Sequence, residues 1–310
     1  MGMEALAGKA FMSLRLHLVL TTSLSLAFSC GCGHRGNGDL ADGKTIIRNE
    51  GSDTMVNVAQ AWAEQYDQEH PNVSVQVLGG GSGVGIASLI QGNCDMANTS
   101  RKMKENEIQR AKDKFGVEPR EIIVGFDALA IYVHKRNPLD SISMEDLADI
   151  YGEDMEHAIQ RWSELGVPQG TLGTDVVTRV SRQNSSGTYV YFRDVVLGKG
   201  KDLRLGSIDQ SGSKDVVALV SRTPSAIGYS GMGYAIPEVK MLKVSKRRGE
   251  PGVAPTVENA KNGTYPITRP LQIYVIGNPT GSVKEYLDWI LSKKGQQVVF
   301  HLGYVPMAAP

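Results

Sequence analysis

Ile46-Ile47-Arg48-Asn49-Glu50-Gly51-Ser52-Asp53-Thr54-Met55, and after one amphipathic segment Val73-Ser74-Val75-Gln76-Val77-Leu78-Gly79-Gly80-Gly81-Ser82-Gly83, decide the fold class. Ile46-Ile47-Arg48 and Val73-Ser74-Val75-Gln76-Val77 have the β-branched content of short strands, and the second alternates cleanly at period two. Between them Met55, Val58, Ala59, Trp62 and Tyr66 recur at helical spacing, which predicts an amphipathic helix over residues 54–69 packed on those strands. Strand, helix and strand make a βαβ unit. The alternation continues with helices over 84–91 and 104–114, strands over 121–124 and 129–134, and helices over 144–151, 188–197 and 215–222. It closes with a strand over 272–276 and a helix over 282–292, where Val283, Tyr286, Leu287, Ile290 and Leu291 form one apolar stripe. Interleaved strands and helices imply an α/β fold with mostly parallel sheets. The length beyond the N-terminal segment suggests two lobes.

The chain has 310 residues, with 33 Lys+Arg balancing 33 Asp+Glu. Zero formal net charge and no long basic tract exclude the electrostatic footprint of a nucleic-acid binder. With 41% hydrophobic and 21% charged residues, the composition is that of a globular protein rather than a disordered chain or a coiled coil. Three cysteines without metal-site spacing and six scattered histidines argue against a zinc or haem protein, and neither a metal nor a cofactor is expected. The 35 glycines exceed the usual share of about 7%, and many of them sit in short motifs, which points to special backbone sites.

The N-terminus reads as an address. Lys9 and Arg15 precede an apolar run over residues 16–28, too short to span a membrane as an anchor, that stops at Ser29-Cys30-Gly31-Cys32. Export through a signal segment over 1–29 is expected. Cleavage before Cys30 resembles bacterial lipoproteins and would make Cys30 the lipid anchor, followed by a flexible tether over 30–44. Only Cys94 lies in the body, so the core must hold the fold without a disulfide.

Three loops each join Gly, Ser and Thr to the start of a predicted helix: Gly51-Ser52-Asp53-Thr54, Gly79-Gly80-Gly81-Ser82-Gly83 and Ser185-Ser186-Gly187-Thr188. A helix N-terminus exposes unpaired N–H groups and a partial positive charge, and glycine lets an anion approach the backbone. One such loop is an ordinary N-cap. Three of them, with Arg182 four residues before Ser186, describe an oxyanion site. A fourth segment, Thr99-Ser100-Arg101, would end a strand with two hydroxyls and a guanidinium. Nucleotide fingerprints are missing: no register fits G-x-G-x-x-G, and Ile86-Ala87 stands where a P-loop needs Lys-Ser/Thr. A G-x-S-x-G elbow is missing too, which argues against a serine hydrolase.

In this order, Gly51-Ser52-Asp53-Thr54-Met55, Gly79-Gly80-Gly81-Ser82-Gly83-Val84-Gly85-Ile86, Thr99-Ser100-Arg101, Arg182-Gln183-Asn184-Ser185-Ser186-Gly187-Thr188 and Ile227-Gly228-Tyr229-Ser230-Gly231-Met232-Gly233-Tyr234-Ala235 resemble the phosphate-binding proteins of bacterial ABC phosphate importers, the PstS family. The similarity spans about residues 46–304, most of the chain. The resemblance implies a two-lobed type-II periplasmic binding protein fold hinged by crossover strands. It places lobe I at 45–127 and 265–310, and lobe II at 128–264. It also implies a non-catalytic, monomeric receptor at the periplasm or the outer face of the cell membrane. That receptor would capture inorganic phosphate and deliver it to the permease subunits of an ABC importer.

Matched residue by residue, Thr54 and Met55 would offer backbone N–H groups, with the Thr54 hydroxyl besides. Ser82 and Ser100 would offer hydroxyls, Arg182 a charge-assisted pair, and Ser186, Gly187 and Thr188 a helix-terminal nest. Gly81 and Arg101 complete the candidate set. The chain departs from the family in carrying Ser100 where some members have Asp, and Asn184 where some have Asp beside the binding Arg. The carboxylate that accepts the phosphate proton must then come from elsewhere. Asp127, between two predicted strands where the lobes would cross, is the first candidate, and Asp53 the second. Asp95 is expected to fix the turn at Asn93. The alternatives are a receptor for another tetrahedral oxyanion such as sulfate, and a secreted phosphate-ester hydrolase.

Overall fold

The computed structural model describes residues 40–41 and 43–307. The expected signal segment 1–29, Cys30 as lipid anchor and most of the tether 30–44 lie outside the described residues. The last part of that tether forms β1 (Leu40–Ala41), antiparallel to β2 (Lys44–Gly51). There follow α1 (Val56–Glu69), β3 (Val73–Leu78), α2 (Ser82–Gln91), β4 (Met96–Thr99), α3 (Glu105–Phe115) and β5 (Pro119–His134). Next come β6 (Ser141–Ser143), α4 (Met144–Tyr151), β7 (Thr178–Arg182), α5 (Gly187–Val196), β8 (Ile208–Gln210), α6 (Ser213–Arg222) and β9 (Ala226–Gly231). The chain continues through β10 (Val239–Met241), β11 (Lys243–Ser245), α7 (Val257–Lys261), β12 (Thr268–Ile276), α8 (Gly281–Leu291) and α9 (Lys293–His301).

The opening βαβ unit forms as its periodicity predicts. β2 and β3 pair in parallel, and Met55, Val58, Ala59, Trp62 and Tyr66 are all buried. Each such large apolar side chain removed from water contributes roughly 1.5–3 kcal/mol, an upper figure because denatured chains already bury part of it. In α8 the expected stripe is shifted: Tyr286, Leu287 and Ile290 are buried together with Trp289, while Leu291 ends the helix exposed.

The main sheet runs β1-β2-β4-β12-β5-β9-β7-β8, with β3 on β2 and β10 on β5. Pairing is parallel among β2, β3 and β4 and among β7, β8 and β9. It is antiparallel wherever β5 or β12 takes part, so the sheet is mixed rather than mostly parallel. Where the sequence suggests two strands broken at Asp127, β5 runs unbroken for 16 residues. Residues 119–128 of β5 pair with β12, and residues 129–133 pair with β9. Asp127 fits this strand because Arg269 stands directly opposite it on β12.

Three clusters of buried side chains flank the sheet. One gathers Trp62, Tyr66, Ile273, Tyr286, Ile290 and Tyr304 around α1, α8 and α9. A smaller one gathers Ile86, Leu89, Cys94 and Tyr274 behind α2 and α3. The third draws on residues 128–267 and Val305, and includes Phe192 stacked on Tyr229 with Tyr151 edge-on to both. β5 joins the first and third of these groups, giving Val124 to one and residues 128–133 to the other.

Candidate functional site

Four chain segments end at one place. β2 delivers Ser52, Asp53 and Thr54; the glycine turn after β3 delivers Ser82 at the start of α2; β4 delivers Ser100; β7 delivers Arg182 and, one turn on, α5. The Ser52, Thr54, Ser82, Ser100, Ser186 and Thr188 side chains are all at most 2% exposed. So many buried hydroxyls must be satisfied, since an unpaired one costs roughly 1–3 kcal/mol.

Here they satisfy one another. Ser52 Oγ donates to Ser100 Oγ at 3.0 Å, and the Ser100 N–H donates to Ser82 Oγ at 3.0 Å. Ser82 Oγ and Ser100 Oγ lie 3.4 Å apart, and Thr54 Oγ1 and Thr188 Oγ1 2.8 Å apart. Gly187 faces this group so closely that a Cβ there would overlap Ser82 Oγ and come within 2.7 Å of Ser100 Oγ. Only glycine leaves that space. A hydroxyl can donate or accept by rotation, so each of these bonds can be exchanged for one donated to an anion.

Each sequence candidate has a definite place. Thr54, Ser82, Ser100, Gly187 and Thr188 form the cluster itself. Met55 is fully buried in the apolar core and its N–H donates to Ser52 O at 2.9 Å, so it is already bound within the turn. Ser186 is the N-cap of α5, its Oγ accepting the N–H groups of Thr188 and Tyr189. Gly81, at φ +98°, turns the chain into α2, and a Cβ there would stand 2.7 Å from Ser185 O. Arg101 makes a two-pronged pair with Glu107, 2.8 Å on each prong, which ties the loop to the start of α3. Asp95 accepts the Arg48 N–H at 2.7 Å and takes no part.

The charged groups of the site are paired within the protein. Arg182 is buried, and its guanidinium is spent on protein partners. Nε donates to Gln210 O, Nη1 to Ser213 Oγ, and Nη2 to Ser211 O and Asp53 Oδ2, the last two at 2.8 Å. Burial lowers its pKa and Asp53 opposes that shift. Asp53 does not cap α1; its other oxygen accepts the Gly80 N–H at 2.8 Å. Asp127 is fully buried, with Oδ2 accepting from Arg269 Nε at 3.2 Å and Nη2 at 2.9 Å. Its Oδ1 is buried and meets no donor at full hydrogen-bond geometry, with the Met232 N–H its nearby weak partner. Burial pushes the Asp127 carboxyl above its ordinary pKa, against the opposing pull of Arg269 and, more weakly, the Met232 N–H.

Arg269 escapes the sequence reading altogether. It is 1% exposed and sits inside the hydroxyl cluster: Nη2 donates to Thr54 Oγ1 at 3.1 Å and Thr188 Oγ1 at 3.0 Å, and Nη1 to Ser100 O at 3.2 Å. The Tyr191 ring lies under the guanidinium, 5.5 Å from centroid to Cζ. A signal for it exists. Arg269, Leu271, Ile273 and Val275 are spaced two apart and share one face of β12, so a cation stands in phase with a core stripe. The strand expected over 272–276 starts at Thr268, and that difference hides the pattern.

Tyrosines brace the 53–54 turn from below. Tyr304 donates to Thr54 O at 2.6 Å and Tyr234 to Asp53 O at 2.6 Å. Burial drives both phenols up, Tyr234 to about 12, so they remain neutral donors. Among the described residues, no group of three or more His, Cys, Asp or Glu side chains is placed to hold a metal ion.

Comparison with known proteins puts this geometry in context. Residues 40–294 match the family model described as the PBP superfamily domain. The phosphate-binding protein PstS of Pseudomonas aeruginosa is 38% identical over 271 residues, covering 85% of this chain and 83% of that protein. The protein SphX of Synechococcus elongatus is 32% identical, with 86% and 79% covered. Among solved structures, a phosphate ABC transporter substrate-binding protein of Clostridium perfringens with bound phosphate aligns at a TM-score of 0.75 and 29% identity. That alignment covers 85% of this chain and all of the other. An ABC-type phosphate transport receptor from Vibrio cholerae aligns at 0.65 and 27%, with 84% and 99% covered.

Proposed function

The chain belongs to the PstS phosphate-binding proteins of the PBP superfamily, and on that premise we propose that it is an extracytoplasmic receptor for inorganic phosphate that serves an ABC importer. The observation that carries this reading is the convergence of the Thr54, Ser82, Ser100 and Thr188 hydroxyls with a buried guanidinium at the N-terminus of α5. A tetrahedral anion needs donors from several directions, and hydroxyls, helix N–H groups and a guanidinium supply them. In this reading Thr54, Ser82, Ser100, Thr188 and the Gly187 N–H bond the phosphate oxygens, while Ser186 shapes the nest by capping α5. Asp127, whose Oδ1 lies buried in the same group with spare acceptor capacity, accepts a hydrogen bond from the O–H that phosphate carries and sulfate lacks.

The cleft walls belong to two lobes that hinge on β5 and β12, lobe I over 45–127 and 265–310 and lobe II over 128–264. Most residues of the buried clusters fall on one side or the other of this division, while Tyr265, Ile267 and Val305 of the returning segment pack with the cluster of lobe II. The protein acts as a monomer and hands phosphate to permease subunits, held at the membrane by lipid on Cys30. Capture and release of the anion need no bond-breaking step.

Calorimetry with inorganic phosphate, beside incubation with a chromogenic phosphate ester, tests the reading. One phosphate per chain without turnover of the ester is expected. Ester turnover without phosphate binding would reverse it in favour of a hydrolase, and tighter binding of sulfate would assign a different oxyanion. Small-angle scattering should show compaction on phosphate addition, as a ligand gripped from both walls favours the closed form.

A further inference from the structure

Two guanidiniums are buried within this site, and their partners differ in kind. Arg182 touches none of the clustered hydroxyls. Its acceptors are two backbone carbonyls, Ser213 Oγ and the Asp53 carboxylate. Arg269 reaches the hydroxyls of Thr54 and Thr188, which come from opposite walls, and the carbonyl of Ser100. An anion oxygen entering between Thr54 and Thr188 meets Arg269 Nη2 directly and can accept hydrogen bonds from both hydroxyls as well. We propose that Arg269 is the guanidinium that grips the anion, and that Arg182, paired with Asp53, is a latch that holds the two walls together.

The assignment rests on the phosphate-receptor reading above. It is supported by the company the Arg182–Asp53 pair keeps. Asp53 follows β2 and Arg182 ends β7, so the pair spans the cleft, and Asp53 retains 15% side-chain exposure where Arg182 has none. Beside it, the Gly83 N–H donates to Ser185 O at 2.9 Å and Ser185 Oγ to Gly80 O at 3.3 Å, the same two walls again. Arg269 and Asp127 instead stand opposite each other on adjacent strands, where no opening motion of the walls separates them. The anion-gripping charge is thus fixed to the sheet, and the latch charge can part. A fixed guanidinium backed by a carboxylate and a tyrosine ring is pre-organised, so little rotamer freedom is lost on binding.

The test measures inorganic phosphate binding by calorimetry and compactness by small-angle scattering for wild type, Arg269→Lys, Arg182→Ala, Asp53→Asn and Arg182→Ala/Asp53→Asn. Arg269→Ala alone strands a buried carboxylate, so Arg269→Ala/Asp127→Ala, which removes both charges, joins the set. Arg269→Lys should lose phosphate affinity by about a thousandfold or more, because a lysine cannot reproduce the fork, and the Arg269/Asp127 double variant should lose at least as much, because the gripping charge is gone. The three latch variants should each weaken binding by a similar factor, about ten- to hundredfold, with the double no worse than the singles. They should also be less compact than wild type without phosphate. The assignment is overturned if Arg182→Ala costs as much as Arg269→Lys while Asp53→Asn stays within about threefold of wild type. Phosphate affinity retained in both Arg269 variants would overturn it as well. A wild-type protein that binds no phosphate would instead defeat the receptor reading, a result distinct from either of these.

Discussion

Replacing Gly187 with alanine puts one methyl group where the walls of the cleft meet. The backbone there is not in the left-handed region, so alanine is free of strain, and as first residue of α5 it gains part of alanine's helix preference of up to about 1 kcal/mol. The difficulty is across the cleft. The new Cβ overlaps Ser82 Oγ, with Ser82 Cβ at 2.9 Å and Ser100 Oγ at 2.7 Å, where ordinary contact is about 3.5–4 Å. The walls must stand roughly 1 Å further apart, and hydrogen bonds fail over such a distance. Losing the Ser82 and Ser100 bonds to a charged oxygen, at about 1.5–3 kcal/mol each, amounts to some 3–6 kcal/mol. That is a fall in phosphate affinity of roughly a hundredfold to ten-thousandfold. Calorimetry reads the affinity, and a thermal melt without phosphate should still show one cooperative transition, at a somewhat lower midpoint because hydrogen bonds between the walls are weakened. Wild-type affinity within about fivefold, with the fold intact, would refute the placement of Gly187 against the anion site.

Ser186→Ala removes the N-cap of α5 and should cost about 1 kcal/mol in urea unfolding of the ligand-free protein, with a further loss of phosphate affinity; an unchanged unfolding midpoint would show the cap idle. Burial raises the Asp127 carboxyl's pKa, so its ionised form costs more in the fold than in water. The stability this contributes is complete below the ordinary value near 3.8 and is lost as pH rises through the raised one. The stability of wild type relative to Asp127→Asn, without phosphate, should accordingly decline as pH climbs above about 4. The same variant should narrow the preference for phosphate over sulfate, and a ratio unchanged from about pH 6 to 8 would move the acceptor role to Asp53. Cys94 is buried, its thiol pushed up to about 12, so mass-mapped labelling with a thiol reagent should leave it unmodified until the protein unfolds; rapid labelling in the native state would contradict its burial.

Local signals were enough for the βαβ opening, the helices that start at glycine- and serine-rich turns, and the hydroxyls those turns carry. Periodicity and N-cap chemistry act over a few residues, so Met55 to Tyr66 announces a helix, and Ser186-Gly187-Thr188 an anion-ready terminus, without reference to the remainder of the chain. Strand direction and continuity were not legible in the same way. Residues 125–128 continue β5 because β12 pairs alongside them, and nothing within that segment itself says so.

The charge arrangement was the part that only the tertiary structure could decide. Asp127 and Arg269 lie 142 residues apart and become cross-strand neighbours through the register of β5 and β12, while Asp53 and Arg182, 129 residues apart, meet across the cleft. An ionisable side chain has no periodicity of its own. Its role depends on which partner the fold brings within about 3 Å and how much water is excluded there, because both set the strength of a charge interaction. Sequence could therefore supply the loops and hydroxyls of an oxyanion site, whereas the division of two buried guanidiniums between two carboxylates was settled by strand register and by the meeting of the cleft walls.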